Sequence, residues 1–197
     1  MATLQELLNS PNQSVRLKAA LAAGTYPNPG QIETLISQCA NESDFFVRDT
    51  LSWALMRHDQ KLVVALLKTE LKSENPQARS QALHTLSKIG DKENYALITR
   101  ELLLDTDDFV ASTAWRSASV LVPENQKQVL VELLISQLGR GDSDTQFGLT
   151  RFLCAIGQQI VTPLTQAAQS LDEIVRTHDE FTLIRYQEME LEKVKKK

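Results

Sequence analysis

An all-α fold of stacked helical hairpins is what this chain predicts, and three observations carry the prediction. Asn or Asp recurs as Asn12, Asp44, Asn75, Asp107, Asp142 and Asp172, at intervals of 32, 31, 32, 35 and 30 residues. Three residues after each stands Val15, Val47, Ala78, Val110, Thr145 or Val175, and four further on Ala19, Leu51, Ala82, Ala114 or Leu149, with Asp179 departing from the rule in the last unit. No segment shows the sustained two-residue alternation of a half-buried strand.

The clearest copy is Asn75–Asp91. Asn75 is placed to accept a hydrogen bond from a first-turn N–H, and Pro76 fits the first helical position, where a missing N–H costs nothing. Ala78, Ala82, Leu86 and Ile89 share a face, and Gly90 ends the run. Each such B helix follows an apolar-periodic A segment, near Thr3–Asn9, Pro29–Ala40, Gln60–Ser73, Lys92–Leu104, Glu124–Leu138 and Gln158–Ser170. Turn residues at 26–30, 122–124 and 139–142 separate units. The reading is a single domain over 1–197 with approximate repeats 1–24, 29–58, 60–90, 92–121, 124–157 and 158–195, the last a cap for the array.

Composition narrows function by exclusion. A net charge of −4 argues against a general binder of nucleic acid, whose phosphates demand clustered cations. Cys39 and Cys154 suggest no disulfide framework. No apolar run reaches membrane-spanning length, and Met1–Glu6 lacks a signal peptide's basic start and apolar core, so a cytoplasmic protein is expected. No zinc-type Cys or His spacing and no phosphate-binding glycine loop occurs, so no metal or cofactor is implied.

The pattern D/N-x-x-V-R-x-x-A-x-x-A/L-L, closing in I-G-D and plainest in 44–57 and 75–91, resembles the HEAT-repeat family, in particular the short HEAT-like repeats of bacterial phycobilin lyases. The resemblance spans nearly the whole chain. It implies an alpha-alpha superhelix, a solenoid of five to six helical hairpins whose B helices line a concave face. It also implies a binding scaffold more often than an enzyme, because such arrays vary their surface on a constant frame. In that family the repeated arginine, here Arg16, Arg48 and Arg79, typically pairs with a turn aspartate of an adjacent unit, here Asp44, Asp107 or Asp108. Arg176 holds the same position in the last unit.

Counting from the Val/Ala position, +4, +8 and +11 face the core, whereas +2, +6 and +9 lie opposite at 100° per residue. The outward rows contain Asp49 and Phe147 at +2, Trp53, His84, Arg116, Arg151 and Phe181 at +6, and Met56 and Cys154 at +9. Aromatics, Met and Arg are the types enriched in interface cores. The expectation is non-enzymatic recognition of a protein or peptide with an acidic element by Asp49, Trp53, Met56, His84, Arg116 and Arg151. Cys154 is expected to be accessible, and no carboxylate on its own helix orients His84. Trp115, at +5, is expected to pack.

Two enzymatic subclasses of the architecture remain as alternatives. Asp49, Trp53 and Arg116 are the residue types used by HEAT-like alkylpurine DNA glycosylases, and a bilin-lyase-like activity would follow the repeat grammar. The last unit, with Phe181, Leu183, Ile184, Tyr186 and Met189, reads as a cap or as a dimerisation surface, leaving the chain monomeric or dimeric.

Overall fold

A computed structural model describes residues 2–195. Among these, every regular element is helical. The chain divides into two compact units, Met1–Asp91 and Lys92–Lys197, each with its own core.

The first unit holds three hairpins: α1 (Leu4–Leu8) with α2 (Gln13–Thr25), α3 (Ile32–Asn41) with α4 (Phe45–Met56), and α5 (Gln60–Glu70) with α6 (Pro76–Ile89). The B helices α2, α4 and α6 pack in succession, and α3 lies against both α4 and α6. The second unit holds α7 (Arg100–Leu103) with α8 (Asp108–Leu121), α9 (Lys127–Ile135) with α10 (Ser143–Ile156), and α11 (Val161–Ala167) with α12 (Glu173–Lys195); α8, α10 and α12 again pack in succession.

The recurring cap residues work as capping chemistry requires. Oδ1 of Asn12, Asp44, Asn75, Asp107, Asp142 and Asp172 accepts from the N–H of Ser14, Val47, Gln77, Phe109, Thr145 and Ile174, at 2.8–3.0 Å. Each bond satisfies a donor that the helix cannot pair internally. Gly90 ends α6 at φ 75°, a conformation that a side chain disfavours.

The repeated arginines share one placement, over the turn that enters their own helix. Arg48 Nη1 donates to the carbonyls of Glu42 and Ser43, at 2.8 and 2.6 Å, and Arg79 Nη1 to those of Ser73 and Glu74, at 2.8 and 3.3 Å. Arg16 clamps Ser10 and Pro11 alike, and Arg176 reaches Ser170. Standing four residues after the cap, each guanidinium folds back over the turn that enters its own helix, where carbonyls lack helical partners. Asp44 and Asp107 are caps; Asp44 also accepts from Gln13 Nε2 at 2.9 Å.

The carboxylate that links repeats in the first unit is Glu42. It pairs bidentately with Arg16, at 2.7 and 2.8 Å, and is 2% exposed. Burial opposes its ionisation, but hydrogen bonds from Arg16, the Asp44 N–H and Gln38 outweigh that cost and hold the carboxyl below its ordinary range. In the second unit Arg140 plays the linking part. It pairs with Asp108 at 2.7 Å, donates to the Asp105 carbonyl, and lies 5.7 Å from the Trp115 ring centroid. Trp115 is wholly buried and donates its indole N–H to the Leu103 carbonyl, in keeping with its core assignment.

The fourth A segment is less helical than its apolar spacing suggests. Residues 92–97 form a 3-10 turn, and only Arg100–Leu103 are α-helical. Thr99, extended at ψ 165°, spends its hydroxyl capping α7 and interrupts the run. The acidic-then-basic tail is helical to Lys195, with Arg185–Glu188 and Lys193–Glu190 pairs at 2.7 and 2.6 Å; Lys196 and Lys197 of its basic end lie outside the described residues.

Candidate functional site

The +4 positions Ala19, Leu51, Ala82, Ala114, Leu149 and even Asp179 are all buried, so the helical register predicted for the B helices holds. The outward rows then divide between the two units.

In the first unit Asp49 lies on α4 and His84 with Lys88 one turn apart on α6. Lys88 Nζ donates to Asp49 Oδ1 at 2.5 Å, and His84 Nε2 lies 4.0 Å from the same oxygen. The carboxylate missing from the helix of His84 therefore comes from the neighbouring B helix, where a +2 position meets the next repeat's +6 position. Lys88 is absent from the sequence reading, although its place four residues after His84 puts it on the same face. The Ser87 hydroxyl donates to the His84 carbonyl, which ties it to the backbone and not to the ring.

Trp53 and Met56 stand one and two turns beyond Asp49 on α4, both half-buried. Trp53 has a packing duty that its register conceals. A Cβ on Gly24 would lie 2.3 Å from Trp53 Cζ3 and 2.9 Å from Ala54 Cα, so the indole rests directly on the glycine of α2. One side of the ring is committed to the repeat stack, and Trp53 follows Asp49 by one helical turn.

In the second unit Arg116 on α8 and Arg151 on α10 are exposed, and neither side chain has a hydrogen bond or ion pair among the described residues. One turn before Arg151, Phe147 meets Phe181 of α12, with centroids 6.2 Å apart and planes at 44°. The two rings are 47% and 41% exposed. Phe147 and Phe181 fall in the +2 and +6 rows, but only adjacent stacking of α10 and α12 brings them together.

Cys154 corrects the expectation of an accessible thiol. It is 3% exposed, its Sγ lies 3.8 Å from the Thr182 carbonyl, and burial pushes its pKa up. The long α12 packs against α10 and covers it. Cys39 is equally buried, its thiol pushed up to about 12 by desolvation. His58 donates from Nδ1 to the Ala54 carbonyl at 2.8 Å, the helix-end role that its position suggests.

Below the aromatic pair runs a buried polar chain absent from the sequence reading. The Gly139 N–H donates to His178 Nδ1 at 3.0 Å, which places the ring proton on Nε2. Nε2 faces Thr150 Oγ1 at 3.1 Å, Thr150 bonds Thr182 at 2.8 Å, and Thr182 donates to the His178 carbonyl at 2.8 Å. One direction of donation satisfies these four bonds with a neutral ring, and burial pushes His178 below its ordinary pKa against a smaller opposing hydrogen bond with the Gln146 backbone.

No group of three or more metal-ligating side chains occurs among the described residues, and none of their helices is long and apolar enough to cross a membrane. No family model matches the chain. No curated protein matches it. Among solved structures it is similar to the complex of CpcE and CpcF of phycocyanin lyase from Nostoc sp. PCC7120, at 18% identity over 95% of this chain and 89% of that one, with a TM-score of 0.37.

Proposed function

We propose that the protein is a non-enzymatic binding scaffold of HEAT-like type, working in the cytoplasm, which recognises a protein or peptide through the outward faces of its B helices. The HEAT-like reading rests on the repeated cap, the Val-Arg pair and the small core residue. The binding reading rests on one observation above all. The Asp49–Lys88 pair bridges α4 and α6 beside half-buried Trp53, Met56 and His84, at positions of the repeat that face away from its core. A paired Lys88 and a Trp53 ring already resting on Gly24 have less side-chain freedom to lose on binding than unpaired, unpacked ones.

Affinity capture followed by mass spectrometry tests the reading, with His84→Glu and Met56→Glu as paired controls. Both variants should keep the helical signal and lose the same partner. Retention of that partner by both overturns the assignment. Trp53→Ala serves less well on its own, since the indole also supports α2.

A further inference from the structure

We infer that the outward face of the second unit, formed by α8, α10 and α12, is a docking site for an acidic peptide segment carrying one large apolar side chain. The inference rests on the binding reading in taking the B-helix faces as the working surface, and it names the chemistry of what one of them takes.

Two features point to that chemistry. Phe147 and Phe181 touch across neighbouring helices and stay nearly half exposed, with exposed Ile184 one turn beyond Phe181. Exposed rings in mutual contact form an apolar patch, and covering it with an aliphatic or aromatic side chain removes that surface from water. Arg151 follows Phe147 by one helical turn, and Arg116 holds the same repeat position on α8. Unlike Arg16 and Arg140, which are bound to carboxylates, these two guanidiniums have no partner among the described residues. Each presents a donor fork that matches a carboxylate bidentately. Arg185, one turn beyond Phe181, is already paired with Glu188, and Glu180 adjoins Phe181, so the attraction for an anion centres on Arg116 and Arg151.

Single-stranded nucleic acid also uses aromatics and arginine, but this face suits it poorly. The rings are tilted against each other and cover part of their own faces, where bases need open platforms. Two unpaired arginines in a chain of net charge −4 also neutralise few phosphates. A second copy of the chain could also cover the rings, and the test below includes that outcome.

Fluorescence anisotropy on the full chain decides the matter. The probe is a short labelled peptide of Asp and Glu around a central Leu-Phe. One control replaces Leu-Phe by Ala-Ala, and a second replaces the acids by Lys. The anchored acidic peptide should bind at least roughly tenfold tighter than either control, and Arg116→Gln/Arg151→Gln and Phe147→Ala should each weaken it roughly tenfold. The arginine variant alters only exposed side chains, so it remains informative if Phe147→Ala unfolds. Equal binding of the three peptides, or binding that survives the arginine variant, overturns the inference. So does tighter binding of an oligo-dT probe, or light scattering that shows a dimer dispersed by Phe181→Ser. A captured partner lost by His84→Glu but kept by Arg116→Gln/Arg151→Gln leaves the binding reading standing and removes this one.

Discussion

Asp179 occupies the place that is alanine or leucine in the five preceding B helices, and it is 1% exposed there. Its Oδ1 has no hydrogen-bond partner among the described residues, and desolvation, with a smaller contribution from Glu180, raises its pKa to about 6. A carboxyl whose folded pKa is raised contributes stability that is complete below its ordinary value and lost as pH rises through about 6. Neighbouring His178 acts in the opposite sense. Its depressed pKa leaves its contribution complete above the ordinary imidazole value, about 6.5, and lost as pH falls below it. Asp179→Ala is therefore expected to stabilise the protein at pH 7.5 by about 1–3 kcal/mol. Urea midpoints measured from pH 5 to 8 should reveal a steeper rise with pH in the variant, because the opposing carboxyl is gone. A variant with the wild-type profile would show that the buried carboxyl costs nothing.

At the scale of elements, the α2–α4 contact depends on a position without a side chain. Gly24→Ala places a methyl group against both the Trp53 ring and the Ala54 backbone, and the backbone cannot swing aside. A loss of about 1–3 kcal/mol is expected, with red-shifted Trp53 emission as the indole is displaced. Trp115, buried in the other unit, supplies the unchanged background. An unshifted spectrum with unchanged stability would contradict the close approach. The turn between α3 and α4 offers a second test. Glu42→Ala strands the Arg16 guanidinium and the Asp44 N–H, and the loss should reach about 3–5 kcal/mol at neutral pH. Because the folded pKa of Glu42 is depressed, its contribution is present above the ordinary carboxylate value and lost as pH falls through the folded one. Acid unfolding followed by circular dichroism should therefore be less steep in the variant below about pH 4.5.

At the scale of the whole molecule, stacked hairpins cover one another's cores, and α12 lies over α10 and α11. The last helix, α12, is 23 residues long, against 12–14 for the other B helices, and buries His178, Asp179, Thr182 and Tyr186. Ending the chain at Ser170 would uncover Leu149, Leu153 and Leu164, which are almost fully buried. Light scattering and dye binding should then report aggregation or a loosened second unit. A soluble, well-folded monomer would instead mean that α12 serves as a detachable interface.

What the linear sequence determined is the capping and the register of the B helices. Capping is a contact over two or three residues, and the helical repeat carries each core position to its place, so all six caps and the buried +4 row could be read before any tertiary contact was known. Only the tertiary structure decided which outward residues meet. Asp49 finds Lys88 across 39 residues, Phe147 finds Phe181 across two packed helices, and Trp53 settles on Gly24. Cys154 disappears beneath α12 for the same reason. The register of one helix gives the direction of a side chain, but the neighbouring helix determines whether that direction leads to solvent, a charge or a ring. The repeat made the frame legible; the pairings across it depend on distances of a few ångströms between helices, and no spacing along the chain encodes them.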